Sequence, residues 1–103
     1  MAWHEVAGGE SLAEAEAVGV TIGAHPIALC RSGGGYYALH NVCTHQSALL
    51  SEGYIEDGCI ECPLHQGRFS LKTGEALCEP VTEPVRVYPV RAEGGKIYVE
   101  IPD

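Results

Sequence analysis

Thirteen glycines and six prolines are scattered along the 103 residues and interrupt every run of Val, Ile, Leu and Tyr. That punctuation predicts many short strands joined by turns, an all-β chain. Val18, Val20 and Ile22 alternate with smaller or polar residues. Residues 26–29 form a short apolar run, Ser32-Gly33-Gly34-Gly35 a turn, and residues 36–39 the next strand. Val85-Arg86-Val87-Tyr88-Pro89-Val90 again alternates with period two. Beyond the turn Ala92-Glu93-Gly94-Gly95, residues 97–101 close a C-terminal hairpin, and the two glycines suit the positive backbone angles of a tight turn. Ser11-Leu12-Ala13-Glu14 has capping-box spacing before an Ala/Glu stretch, which predicts one helical turn at most. From Asn41 to about Ala76 the strand rhythm gives way to loops rich in Cys, His and Gly.

Length and charge narrow the function classes. A chain of 11.0 kDa has room for one domain, residues 1–103. The net charge of −8 and the absence of any basic run argue against a nucleic-acid partner. The longest apolar run, residues 27–30, is far short of the ~20 residues a membrane helix needs. Met1-Ala2-Trp3-His4-Glu5 has neither the positive start nor the apolar stretch of a secretory signal, so the protein is expected in the cytoplasm. There the five cysteines, at 30, 43, 59, 62 and 78, stay reduced, and metal ligation or burial is expected instead of disulfides.

The informative pattern is Cys43-Thr44-His45 followed by Cys62-Pro63-Leu64-His65. Each segment offers one thiolate and one imidazole, and four such donors complete either a tetrahedral zinc site or an iron–sulfur cluster. Zinc fingers usually keep like ligands together, whereas here each segment mixes the two types. Mixed segments favour a two-iron cluster, in which two separate ligand pairs each complete one sulfide-bridged iron.

With its flanks, Val42-Cys43-Thr44-His45, Leu50-Ser51-Glu52-Gly53, Ile60-Glu61-Cys62-Pro63-Leu64-His65-Gln66-Gly67-Arg68-Phe69 and Thr73-Gly74, this pattern resembles the Rieske 2Fe–2S family. The continuation Ala76-Leu77-Cys78-Glu79-Pro80-Val81-Thr82 and the later Tyr88-Pro89-Val90 resemble the small Rieske ferredoxins of bacterial ring-hydroxylating dioxygenases of the naphthalene, biphenyl and carbazole type. The resemblance implies antiparallel sheets in a β-sandwich-like base, with a small loop-rich cluster-binding subdomain at about 41–77. It implies one 2Fe–2S cluster, its inner iron held by Cys43 and Cys62 and its outer iron by His45 and His65. Gln46 stands where many of these ferredoxins have Gly, which removes no ligand.

Respiratory Rieske proteins add a loop-to-loop disulfide, but Ala48 and Leu64 stand at the matching positions. Their Ser and Tyr hydroxyl donors to sulfur are replaced here by Gly67 and Phe69. Hydrogen bonds to sulfur favour the more negative reduced state, so a midpoint potential low in the Rieske range is expected, on the order of −150 mV.

The remaining candidates have plainer readings. Cys59 and Cys62 form a C-x-x-C, but Asp57-Gly58 precedes it and Pro63 follows, so Cys59 reads as a strand residue beside a ligand. Cys30 and Cys78 read as small buried hydrophobes. His4, His25 and His40 have no cysteine at ligand spacing, although His40 is placed to support the first loop. Trp3, Tyr36, Tyr37, Tyr54, Phe69, Tyr88 and Tyr98 read mostly as core or strand-pair residues. Pro80 and Pro84 are candidates for a loop covering the cluster. The acidic excess serves solubility or steers the chain toward basic redox partners.

No nucleophile–base pair or nucleotide-binding glycine motif is present, and a cluster with all four positions filled by protein leaves no place for substrate. The resemblance therefore implies a monomeric one-electron carrier and no enzyme. It would take electrons from an NAD(P)H-dependent flavoprotein reductase and pass them to a terminal Rieske oxygenase, docking through a small apolar patch at Pro63 and Leu64. The competing expectations are a Rieske-like small subunit of another oxidoreductase, such as nitrite reductase, and a structural zinc module.

Overall fold

The computed structural model describes residues 2–43, 48–63, 67–77 and 83–102. Among the described residues ten short strands carry the fold: β1 (Ala2–Glu5), β2 (Ala17–Ile22), β3 (His25–Ser32), β4 (Gly35–His40), β5 (Tyr54–Glu56), β6 (Cys59–Glu61), β7 (Arg68–Ser70), β8 (Val87–Tyr88), β9 (Val90–Glu93) and β10 (Lys96–Ile101). They form three antiparallel sheets, ordered β1-β10-β9, β2-β3-β4-β8 and β5-β6-β7. The all-β expectation holds. Among the described residues no helix is long and apolar enough to cross a membrane.

The central strand β3 explains how one chain supports two cores. Its residues alternate between faces. Ile27 and Leu29 join Val6, Leu12, Ala38, Tyr88, Ile97, Val99 and Ile101 in a base core between the first two sheets. Ala28 and Cys30 instead join Leu39, Cys43, Leu50, Ile60, Cys62, Phe69, Leu71 and Val85 in a second core on the opposite face. Residues 27–30 are all fully buried, which is why they read as an unbroken apolar run. Burying each larger side chain contributes roughly 1.5–3 kcal/mol.

The expected turns form where Gly pairs permit them. Gly33-Gly34 joins β3 to β4 and Gly94-Gly95 joins β9 to β10, all four with φ between 60 and 80°. The expected helical turn does not follow the capping-box spacing. A 3-10 turn spans Gly9–Ser11, and Ala15 takes a left-handed φ of 63°. The segment pairs with β3 instead, through Ala15 N–H to Arg31 O at 2.9 Å and Arg31 N–H to Glu16 O at 3.0 Å. The Glu14 carboxylate accepts the N–H groups of Gly33 (2.6 Å) and Gly34 (3.1 Å), and those bonds hold its pKa below the usual carboxylate range.

Two further expectations need correction. The alternating run 85–90 is not one strand: it breaks at Pro89, so that β8 pairs with β4 in the second sheet while β9 pairs with β10 in the first. A proline has no N–H to give a ladder, and here its carbonyl accepts the N–H of Glu100 at 2.9 Å. The stretch expected as loops also contains the third sheet. Its three-residue strands are too short to establish a period, yet Ile55, Ile60 and Phe69 are paired across it on one face.

Candidate metal centre

Two loops built to one plan carry the cysteines. Cys43 follows the bridge between Val42 and Leu49, and its N–H donates to the Ala48 carbonyl at 2.9 Å. Cys62 follows β6, and its N–H donates to the Gly67 carbonyl at 2.8 Å. Each bond runs from a cysteine to the fifth residue beyond it, enclosing residues 44–47 in one loop and 63–66 in the other. In the sequence His45 and His65 fall inside those spans, but both lie outside the described residues, as do Leu64, Cys78 and Pro80. Pro63 is exposed, as is Pro84.

Both loops are anchored by tight packing at the stems. Asn41, buried just before the first loop, donates its N–H to Pro26 O at 2.9 Å and accepts Leu50 N–H on its carbonyl at 2.7 Å. Its side-chain Oδ1 accepts the N–H of Ser51 at 2.8 Å. His40, the residue expected to support this loop, contributes its backbone N–H to Arg86 O at 2.8 Å. Asn41 is the positioning residue that the sequence reading missed. The one signal available was residue type, a side chain able to satisfy nearby backbone groups, two residues before the loop cysteine Cys43. Before β5, Gly53 lies against Glu61, the residue preceding Cys62, where a Cβ would overlap the Glu61 carbonyl oxygen.

The structure brings Cys43 and Cys62 into one buried apolar cluster, both almost wholly inaccessible. Cys30 shares this cluster, and burial pushes its thiol pKa up to about 12, so it stays protonated. Cys59 lies half-buried, with its thiol 3.6 Å from the Asp57 carbonyl. No disulfide joins it to Cys62 across the C-x-x-C. His4 is exposed on β1, and His25 Nδ1 lies 3.3 Å from the Tyr88 hydroxyl, well apart from any cysteine pattern.

The family model of the Rieske [2Fe-2S] domain matches residues 2–89. This chain belongs to the Rieske family. The anthranilate 1,2-dioxygenase ferredoxin subunit of Burkholderia cepacia is 46% identical over 99 residues, covering 96% of this chain and 92% of that protein. The ferredoxin of carbazole 1,9a-dioxygenase from Nocardioides aromaticivorans IC177 superposes with a TM-score of 0.90 at 33% identity, over 96% of this chain and 97% of that one. A chain from a complex of reduced oxygenase and oxidized ferredoxin in carbazole 1,9a-dioxygenase gives a TM-score of 0.88 at 37% identity, over 94% and 91%.

A Rieske protein carries a Rieske-type 2Fe–2S cluster. The donor set of this chain fits one. Its two loop cysteines are buried among Leu50, Ile60, Phe69 and Leu71, surroundings that suit thiolates neutralised by iron and exclude water from them.

Proposed function

We propose that this Rieske protein is the electron-carrying ferredoxin of a multicomponent aromatic-ring-hydroxylating dioxygenase system. It accepts one electron at a time from an NAD(P)H-dependent flavoprotein reductase and hands it to the terminal oxygenase. The observation that carries this reading is the matched pair of loop stems, which present two buried cysteines from one apolar cluster, each followed within its loop by a histidine.

Cys43 and Cys62 would hold one iron and His45 and His65 the other, within a cluster-binding subdomain of about residues 41–77. The bound cluster supplies a reversible one-electron couple. The chain's own residues do the rest. Asn41 and the Cys43–Ala48 and Cys62–Gly67 bonds fix the loop stems, and the apolar cluster keeps water from the sulfur ligands. With four protein ligands there is no open position for oxygen or an aromatic substrate, so the chain transfers electrons and catalyses no hydroxylation itself. The carrier is read as monomeric and cytoplasmic, in keeping with its small size and net charge of −8.

Metal and acid-labile sulfide analysis, followed by electron paramagnetic resonance after dithionite reduction, tests this reading. Iron with sulfide and a rhombic signal of average g below the free-electron value are expected, and His65→Ala should abolish or convert the signal. Zinc without sulfide, or an unchanged spectrum in His65→Ala, overturns it.

A further inference from the structure

We infer that the outer face of the β5-β6-β7 sheet is a docking surface for the lysine- and arginine-bearing surface of a redox partner. The inference rests on the carrier reading and assigns that carrier a place of contact on its flank. Strand register sorts this sheet cleanly. Ile55, Ile60 and Phe69 are paired across one face, which turns toward the buried core. The opposite face carries two cross-strand rows, Tyr54–Glu61–Arg68 and Glu56–Cys59–Ser70.

Tyr54 is the feature without an internal purpose. It is 69% exposed, more than any other large hydrophobic among the described residues. An exposed tyrosine ring offers a rigid, amphipathic contact at low entropic cost, the kind of side chain that dominates protein interfaces. Here it borders a hollow of about 310 Å3 lined by Tyr54, Ile55, Glu56, Cys59, Glu61 and Arg68. Glu56 and Glu61 are not loose: Arg68 holds them, through Nε to Glu61 Oε1 at 3.1 Å and Nη2 to Glu56 Oε1 at 3.7 Å. Surface pairs like these add little stability, and they place both carboxylates beside one guanidinium. Glu52 and Asp57, both exposed, flank the same strand, so four acidic residues against Arg68 leave this face a net charge of −3.

The charge selects the occupant. Positive side chains on a partner meet a net negative face around an aromatic anchor, which accelerates encounter and favours one orientation. The position suits electron transfer, because β6 runs directly from Glu61 into Cys62 and β7 begins one residue beyond Gly67, the acceptor for the Cys62 N–H. Transfer from a partner or to it moves one electron, the donor being oxidised and the acceptor reduced by one.

Cytochrome c, whose haem edge is ringed by lysines, is the probe. Reduced holoprotein is mixed with ferric cytochrome c in a stopped-flow instrument at low salt, with ferricyanide, a small anion, as a parallel oxidant. Glu56→Gln with Glu61→Gln should slow cytochrome c reduction at least fivefold and flatten its salt dependence. Tyr54→Ala should slow it at every salt concentration. The charge-matched pair Glu5→Gln with Glu93→Gln should change it less than twofold, and ferricyanide oxidation should respond alike, within twofold, to the two charge-matched pairs. Equal losses in the two charge-matched pairs, or no loss in either, overturn the docking surface. So does a face variant that converts a sedimenting dimer to a monomer, since the occupant is then a second copy of this chain. Failure of the wild-type protein to reduce ferricyanide would instead strike the carrier reading itself.

Discussion

The Oδ1 atom of Asn41 accepts the backbone N–H of Ser51 at 2.8 Å, tying the two ends of the first cysteine loop together inside the protein. Removing it leaves a part-buried donor without its partner, which costs about 1–3 kcal/mol. Asn41→Leu is therefore expected to lower stability by that amount in chemical denaturation and to reduce the iron retained on purification. Asn41→Asp, which keeps the acceptor oxygen, should recover part of both.

Gly53 has a φ of −89°, which any residue adopts, so its need for glycine is purely one of space. A methyl group there overlaps the Glu61 carbonyl, one residue from Cys62. Gly53→Ala should cost about 1–3 kcal/mol by overpacking, read as a lowered denaturation midpoint with an unchanged slope.

Phe69 on β7 is fully buried and Gly67 just before that strand is buried too, and neither side chain carries a hydroxyl that could donate to a sulfur. Gly67→Ser combined with Phe69→Tyr should raise the midpoint potential from a starting value on the order of −150 mV, because added donors stabilise the more negative reduced state. Protein-film voltammetry checks it. An unchanged or lower potential in a folded double variant would count against the hydrogen-bond account.

Cys30 is expected to make stability fall in alkali. Its thiol titrates at about 12 when folded, against 9.0 as the ordinary value. Above pH 9 the unfolded chain therefore releases a proton that the folded chain keeps, and stability is lost as pH rises toward 12. The slope reaches about 1.4 kcal/mol per pH unit. The stability difference between the protein and Cys30→Ala should be flat below pH 9 and shrink above it.

How much of this was legible beforehand follows from how local each cause is. The hairpins β3–β4 and β9–β10 were readable because alternation and Gly-Gly turns lie within a few residues of each other. The two loop cysteines stand out in the sequence because each is followed by a histidine at short spacing, and ligand chemistry constrains residue type and spacing together. Pro89 was not readable as a break, since alternation continues straight through it and only the arrangement of two sheets reveals the change of partner. Ala15 misled for a similar reason: helix propensity in 13–17 is overridden by pairing to Arg31, sixteen residues away. Asn41 offers only the weak signal of its residue type, because its partners Pro26 and Ser51 lie fifteen and ten residues away in sequence.

The pairing of β4 with β8 has a consequence for descent. Ala38 lies opposite Tyr88 and Leu39 opposite Val87, so the chain departs from the base sheet and re-enters it at adjoining points. Everything between is an excursion whose two ends already touch. Such a segment can lengthen without parting the base strands, but moving it to another scaffold means moving Ala28, Cys30 and Leu39 as well, since they pack into its core.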